Sequence, residues 1–297
     1  MVTGMALSTL AALDDTTVGT VAVGNRQIRR MGFGGMRISG ARTAEGLRDR
    51  GLAVELVLGV RDRGVQYFDT ANIYGYGQSE EILASALAPY ADDLLIATKA
   101  GFAPGKLAPG QRSLPPNGRP EHIREECDKS LRRLRVECIE LYFVHVPDPA
   151  VPWADTVGTF AELQQAGKVR MVGVSNVTPE QLREAQGIVD VVAVQNRYNV
   201  GDREAEAVLE ACERQGIAFL PYSPLQVAEG PVGGALAGIA GERGVPVQQV
   251  ALAWLLQRSP VVLPIPGSSQ LGHADENIDA AWLRLTDEEL IRLDSGA

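Results

Sequence analysis

Phe68-Asp69-Thr70-Ala71-Asn72-Ile73-Tyr74-Gly75-Tyr76-Gly77-Gln78 carries an acid at the end of an apolar stretch and a tyrosine five residues later in a Gly-rich loop. Two further apolar stretches end in the same way. Leu94-Leu95-Ile96-Ala97-Thr98 runs into Lys99, and residues 139–144 run into His145. Side chains alternate faces along a strand. Val65, Tyr67 and Asp69 therefore share one face, as do Leu95, Ala97 and Lys99, and Ile139, Leu141, Phe143 and His145. Each face is mostly apolar and closes on an ionisable group. Three strand ends thus deliver an acid, an amine and an imidazole, and the loop after the first adds a phenol.

Outward from these runs, the chain alternates β-branched segments with helical patterns. Residues 30–34, 65–68, 94–98, 139–144, 169–174, 191–194, 217–220 and 261–265 read as strands. Between them, 80–87, 120–134, 153–166, 179–187, 203–215 and 246–258 place apolar residues at helical spacing. Ser79, Thr178 and Asp202 stand where helix N-caps are expected. Strands alternating with helices imply a parallel sheet with right-handed crossovers. Eight such units in 297 residues indicate an α/β fold of the (β/α)8 TIM-barrel type. The segments 17–23 and 27–30 flank Gly24-Asn25-Arg26 and read as an N-terminal β-hairpin closing the barrel floor. No linker or repeat divides the chain, so 17–297 is expected to be a single barrel domain and 1–16 a disordered or partly ordered extension. Two segments, 37–51 and 101–119, are too long for ordinary connections, and long loops in compact domains are often functional. The barrel gives the ionisable groups their meaning, because barrel enzymes keep their chemistry at the C-terminal ends of the strands.

Composition narrows the function classes. Apolar residues make up 45% of the chain, which reads as a soluble globular protein. No run of about 18 apolar residues exists to span a membrane. A net charge of −9 argues against nonspecific nucleic-acid binding, which needs basic surface. Cys127, Cys138 and Cys212 have no paired short spacing and fit neither a disulfide framework nor a zinc site. Ordinary packing is their expected role, and a reducing cytoplasm the expected location. Residues 1–13 contain no Lys or Arg and lack the charged start of a secretory signal. A frayed extension, or a true start near Met5, is the expectation there.

Asp69 and Lys99 in a partly dry barrel mouth are expected to pair, because an unpaired buried ammonium is costly. The ammonium is expected to lower the pKa of Tyr74 from its usual value of about 10. A tuned tyrosine can give a proton to a developing alkoxide or take one from an alcohol. His145 is placed to orient a carbonyl by hydrogen bond. Nothing resembles a metal cluster or a nucleophilic triad, so proton transfer beside hydride transfer is the best fit. Hydride must come from a cofactor.

In these residues the chain resembles the aldo-keto reductase family, from about Arg30 to Asp294. Asp69-Thr70-Ala71 with Tyr74-Gly75 matches the family's second-strand signature, Ala97-Thr98-Lys99 its lysine segment and Leu141-Tyr142-Phe143-Val144-His145 its histidine strand. The resemblance implies a catalytic tetrad of Asp69, Tyr74, Lys99 and His145, with Tyr74 as general acid. It implies an NADPH-dependent reduction of an aldehyde or ketone, in a bacterial branch similar to pyridoxal reductases and related oxidoreductases. Gly173-Val174-Ser175-Asn176 resembles the family's nicotinamide clamp, completed by Gln195. Tyr222 stands where the family stacks a ring on the nicotinamide. Ser223, Pro224, Leu225 and Gln226 begin the expected pyrophosphate loop, and Gly35 and Met36 line the cofactor. Ile265, Gly267, Ser268, Ser269, His273, Glu276 and Asn277 resemble the adenosine 2′-phosphate and adenine site. One departure stands out. Many members have a lysine at the position of Gly267 and an arginine at that of His273. Both permanent cations are absent here, so NADH use stays open beside NADPH.

Other readings stand beside these. Gly32-Phe33-Gly34-Gly35 invites a dinucleotide-loop reading, but it lacks the third glycine and no helix follows directly. A tight strand-to-loop turn is expected instead. Lys99 alone would also suit a Schiff-base lyase. A third reading is a cofactor-binding regulatory or structural protein on the same fold. Tyr76, Phe102 and Trp153 either line a substrate pocket or pack a loop. His122 is expected on an exposed helix face, and the charges of residues 124–135 on a solvated one. The expected partner is a small carbonyl compound rather than nucleic acid or membrane, with the protein a monomer or small homo-oligomer.

Overall fold

A computed structural model describes residues 10–40, 49–105, 114–226 and 230–295. A short helix α1 (Asp15–Val18), capped by Asp14, leads into β1 (Thr20–Val23) and β2 (Arg26–Arg29). These pair antiparallel with Val23 opposite Arg26 across Gly24-Asn25, where Gly24 takes the positive φ of 59° that such a tight hairpin requires. The hairpin lies on the barrel floor. A Cβ on Gly24 would strike Met171 and touch Val192, and Arg26 pairs with Glu140; all three stand near the starts of barrel strands. Ahead of α1, Leu13 is buried and its N–H donates to the Arg63 carbonyl at 2.8 Å.

The barrel then alternates as the pattern requires. β3 (Phe33–Gly34), α2 (Arg50–Asp62), β4 (Tyr67–Asp69), α3 (Gln78–Leu87) and β5 (Leu95–Ala100) come first. α4 (Pro120–Leu134), β6 (Ile139–Val144), α5 (Trp153–Gln165), β7 (Val169–Ser175), α6 (Pro179–Gln186) and β8 (Val191–Gln195) follow. The chain ends with α7 (Glu206–Gln215), β9 (Ala218–Phe219), α8 (Pro231–Arg243), α9 (Val247–Arg258), α10 (Leu271–Asp279) and α11 (Asp287–Asp294). Strands β3 to β9 form one parallel sheet in chain order. The inner strands are buried on both faces, as helix-covered parallel strands must be.

The expected eighth strand at 261–265 is a single parallel bridge, Phe219 to Val262, rather than a ladder. Pro264 and Pro266 have no N–H to donate and so break the ladder. Their carbonyls still close the barrel, accepting from Gly32 N at 2.9 Å and Gly34 N at 3.0 Å, while Leu263 N donates to Phe219 O at 2.9 Å. The barrel is thus closed on both sides of this segment. Two expected caps differ. Ser79 lies inside α3, whose N-cap is Gly77 at a φ of 89°, because the Ser79 hydroxyl donates to the Gly35 carbonyl at 2.9 Å instead. Asp202 closes a tight two-way backbone bridge with Asn199, so α7 begins only at Glu206. Thr178 forms the expected capping box with Gln181. Among the described residues, no helix is long and apolar enough to cross a membrane.

Candidate active site

Parallel register places the strand ends side by side. Asp69 closes β4, Lys99 lies in the last turn of pairing of β5, and His145 follows β6 with its N–H donating to the Ala100 carbonyl at 2.8 Å. Lys99 Nζ donates to Asp69 Oδ2 at 2.5 Å and to the Thr70 carbonyl at 2.8 Å. Both side chains are buried. Tyr74 comes over from its loop, with Lys99 Nζ 5.1 Å from its ring centroid. Its ring meets His145 edge-on, at 6.0 Å and 84°. All four groups expected to form the tetrad therefore converge at one barrel mouth.

Their protonation follows from burial and charge. Burial pushes the Tyr74 phenol up, the Lys99 ammonium pulls it down and the Asp69 carboxylate adds to the rise, leaving it above its ordinary value of 10.0. The expected lowering by Lys99 is present but outweighed, because the phenol is too poorly solvated to ionise. Burial disfavours the Lys99 ammonium, yet the Asp69 carboxylate beside it more than offsets this and raises it above 10.5. Burial, then the Lys99 charge, holds His145 well below 6.5. At neutral pH the site thus holds a protonated phenol, an ammonium and a neutral imidazole. The buried His145 Nδ1 has no hydrogen-bond partner.

The residues matched to the nicotinamide clamp are stitched into this centre. Gln195 Nε2 donates to Asp69 Oδ1 at 2.9 Å, so Gln195 also braces the acid, a link that strand position alone did not reveal. Asn176, at a φ of 59°, donates to the His145 carbonyl at 2.9 Å and to Ser175 Oγ at 3.1 Å. Tyr222 donates its phenolic proton to Asn176 Oδ1 at 2.7 Å. Beyond it, Ser223 has a φ of 55°, Pro224 is buried, Leu225 is half-buried and Gln226 accepts from Arg197 Nη2 at 2.9 Å.

A second group lies beside β3. Gly35 is buried and Met36 is 65% exposed. Ile265 and Gly267 press against β3: a Cβ on Gly34 would meet the Ile265 carbonyl at 2.7 Å, and one on Gly267 the Gly34 carbonyl at 2.6 Å. Ser268 is buried, and its hydroxyl is engaged with the backbone N–H and carbonyl of Gln270 ahead of α10. Ser269 is half-buried, His273 and Glu276 are exposed, and Asn277 is buried.

Three further residues bear on the site. Phe102 packs its ring edge-on to His145 at 4.6 Å, which makes it a wall of the mouth. Tyr67, two positions before Asp69 on the same strand face, is fully buried and its phenol lies well above 10.0 through burial and then the Asp69 charge. Trp153 instead packs a helix, donating Nε1–H to the Gln181 carbonyl at 2.9 Å. His122 departs from its expected exposed place. It is 8% exposed, with Nε2 3.1 Å from the Phe102 carbonyl, because the 101–105 segment folds over α4.

The family model "Aldo/keto reductase family" matches residues 30–230 and 231–296. An uncharacterized oxidoreductase of Schizosaccharomyces pombe is 39% identical over 287 residues, covering 96% of this chain and 92% of that protein. Pyridoxine 4-dehydrogenase of Escherichia coli is 36% identical over 281 residues, covering 93% and 97%. A crystal structure of an aldo/keto reductase from Klebsiella pneumoniae in complex with NADP and acetate superposes with a TM-score of 0.76 at 26% identity, covering 93% of this chain and 94% of that one. With its barrel, its converging strand ends and these matches along both parts of the chain, the protein belongs to the aldo/keto reductase family of NAD(P)-dependent oxidoreductases.

Proposed function

We propose that the protein reduces an aldehyde or ketone to an alcohol, reversibly, with NADPH as the preferred cofactor and Tyr74 as the general acid. One observation carries this reading: a phenol kept protonated by burial stands beside an ammonium kept charged by its own carboxylate. The residues fit a nicotinamide cofactor. Ser175, Asn176 and Gln195 offer amide and hydroxyl partners for a carboxamide, and Tyr222, tied to Asn176, offers a ring face beside them. The NADP bound in the Klebsiella relative supports the same choice. When bound, the nicotinamide supplies a hydride to the carbonyl carbon.

The chain's own groups supply the rest. Tyr74 donates its hydroxyl proton to the carbonyl oxygen as that oxygen gains negative charge. The resulting phenolate is stabilised by the Lys99 ammonium, which Asp69 and the Thr70 carbonyl hold in place. His145, neutral and edge-on to Tyr74, orients the carbonyl oxygen, and Phe102 shields that side from water. In the oxidative direction the same pair takes up the alcohol proton. A Schiff-base lyase finds no support here, because an amine held as ammonium is not a nucleophile.

Tyr74→Phe is expected to abolish turnover while leaving dinucleotide affinity nearly intact. Wild-type carbonyl reduction by that variant would overturn the assignment. Fluorescence titration with NADPH and NADH tests the cofactor reading, and binding of neither would remove its basis. The Escherichia coli relative makes pyridoxine and pyridoxal the first substrates to try. A single barrel domain working in the cytoplasm, as a monomer or small homo-oligomer on a small-molecule substrate, completes the reading.

A further inference from the structure

Behind the Tyr74 loop lies a buried polar network that the proton chemistry does not use. Thr98, just before Lys99, faces out of the barrel and donates its hydroxyl to Glu80 Oε1 at 2.7 Å. Glu80 is fully buried, and its other oxygen accepts from Arg133 Nε at 2.6 Å. Arg133 Nη2 lies 3.9 Å from Glu126, whose Oε2 accepts from Asn72 Nδ2 at 2.8 Å. Asn72 stands two residues before Tyr74. Arg133 also underlies Gly77, where a Cβ would meet its Cδ at 2.6 Å and its guanidinium at 2.7 Å. Side chains of α4 therefore grip the loop at both ends, at Asn72 and at Gly77, and hold Glu80 just beyond it.

Elsewhere the loop is held at its start, where Asn72 N donates to Lys99 O at 3.3 Å and Thr70 Oγ1 to Ser79 Oγ at 2.6 Å, and at Gly75, which packs against Ser39. Tyr74 N donates to Ala71 O at 3.1 Å and Tyr76 N to Ile73 O at 3.2 Å, both within the turn itself. Gly75 and Tyr76 are both left-handed at a φ of 59°, a conformation that a non-glycine residue keeps only when its surroundings over-determine it. Among the described residues, seven buried side-chain atoms have no hydrogen-bond partner, and four of them, on Asn72, Ser130, Arg133 and Tyr142, belong to this region. An apolar brace would hold two helices as well. Replacing a buried ion pair by packed hydrophobic residues is often neutral or stabilising, so stability alone does not account for charges kept here.

We propose that Arg133, acting with Glu80, Glu126 and Asn72, is the positioning element that sets the Tyr74 hydroxyl against Lys99. This rests on the reading of Tyr74 as general acid. The test compares Arg133→Met, Arg133→Lys, Asn72→Ser and Tyr74→Phe in the full-length protein, with NADPH and nitrobenzaldehyde as the carbonyl probe. A misplacement of about 1 Å costs on the order of 100-fold in rate. Arg133→Met is accordingly expected to lower kcat roughly 10- to 100-fold, with KM and NADPH affinity close to wild type and a larger solvent deuterium isotope effect on kcat. Arg133→Lys, which keeps a cation for Glu80, recovers most of the rate. Asn72→Ser, a smaller disturbance, lowers kcat in the same direction and serves if Arg133→Met does not fold. Wild-type kcat in Arg133→Met and Asn72→Ser, with Tyr74→Phe inactive, overturns the positioning role and leaves the acid assignment standing. Equal losses of kcat and NADPH affinity overturn it too, because they mark general damage to the barrel. Activity retained in Tyr74→Phe overturns the acid reading itself, and the positioning role with it.

Discussion

Replacing Lys99 by Met removes an ammonium while nearly preserving the side chain's volume. The lost group makes two short bonds, to Asp69 and to the Thr70 carbonyl. Asp69, 2% exposed, is then left as a buried carboxylate whose remaining side-chain partner is the neutral Gln195 amide at 2.9 Å. Removing one partner of a buried ion pair costs about 3–5 kcal/mol. Larger domains lose roughly 2–4 °C of Tm per kcal/mol, and a barrel of this size falls near the lower slope, so Tm should drop by about 6–10 °C. The double variant Asp69→Asn/Lys99→Met removes both charges and should recover most of that loss. Urea unfolding of the wild type, both single variants and the double variant closes the cycle. A loss below about 1 kcal/mol in Lys99→Met, or a double variant as unstable as the single, would refute the buried-pair argument. The pair also has a pH signature. The folded pKa of Lys99 is raised, so its stabilisation is fully present below 10.5 and is lost as pH rises through the higher folded value.

His145 gives the opposite signature. Its folded pKa is depressed below the ordinary 6.5, so the unfolded chain takes up a proton that the folded one refuses, and stability falls as pH drops below 6.5, by up to about 1.4 kcal/mol per unit. His145→Asn should flatten that acid limb in pH-dependent urea titrations; an unchanged limb would assign it to other groups. Burial pushes the Cys127 and Cys212 thiols up to about 12, so the native protein should react with a neutral-pH thiol reagent no more than once, at half-buried Cys138. Fast labelling of three thiols without denaturant would contradict the packing. His273→Arg, on an exposed position of α10, should tighten NADPH binding several-fold over NADH by fluorescence titration, whereas Gly267→Lys should weaken both. Equal tightening of NADH by His273→Arg would remove α10 from the 2′-phosphate site.

Much of the barrel is legible in the sequence because local signals agree with tertiary ones. β6 spans the expected 139–144 and α4 the expected 120–134, the first a run buried on nearly every position, the second opened by proline and patterned on one face. The segment 261–265 reads as a strand because apolar character reports burial, but Pro264 and Pro266 decide the ladder and reduce it to one bridge. α2 carries a readable signal, Asp49 as cap and Ala53, Leu56, Val57 and Val60 on its buried face, but it lies beside a long connection whose composition masks where the helix begins. α8 is harder: Gly233, Gly234, Gly238 and Gly241 interrupt its period, and packing of Val232, Leu236 and Ile239 makes the helix. In the site, the four residues proposed as the tetrad are legible one by one because each ends a strand or lies in the loop that follows one. Their couplings are not. Gln195 reaches Asp69 across 126 residues, and the sign of the Tyr74 shift depends on how deeply the loop closes.

The missing cations at 267 and 273 have different causes. Gly267 lies so close to β3 that any Cβ would be 2.6 Å from the Gly34 carbonyl, and Gly34 is equally tight against the Ile265 carbonyl. Both contacts come from the segment whose prolines break the eighth strand and leave its carbonyls to accept from Gly32 and Gly34 instead. A lysine at 267 would have to push this closure apart, so its absence is a consequence of how the barrel is sealed. Nothing comparable constrains His273, which is exposed on a helix and has room for a longer side chain. On the proposed cofactor reading, discrimination between the two dinucleotides is therefore open to change at 273 without touching the fold. The proton chemistry is not adjustable in this way, because Asp69, Lys99 and Tyr74 depend on one another's burial and charge.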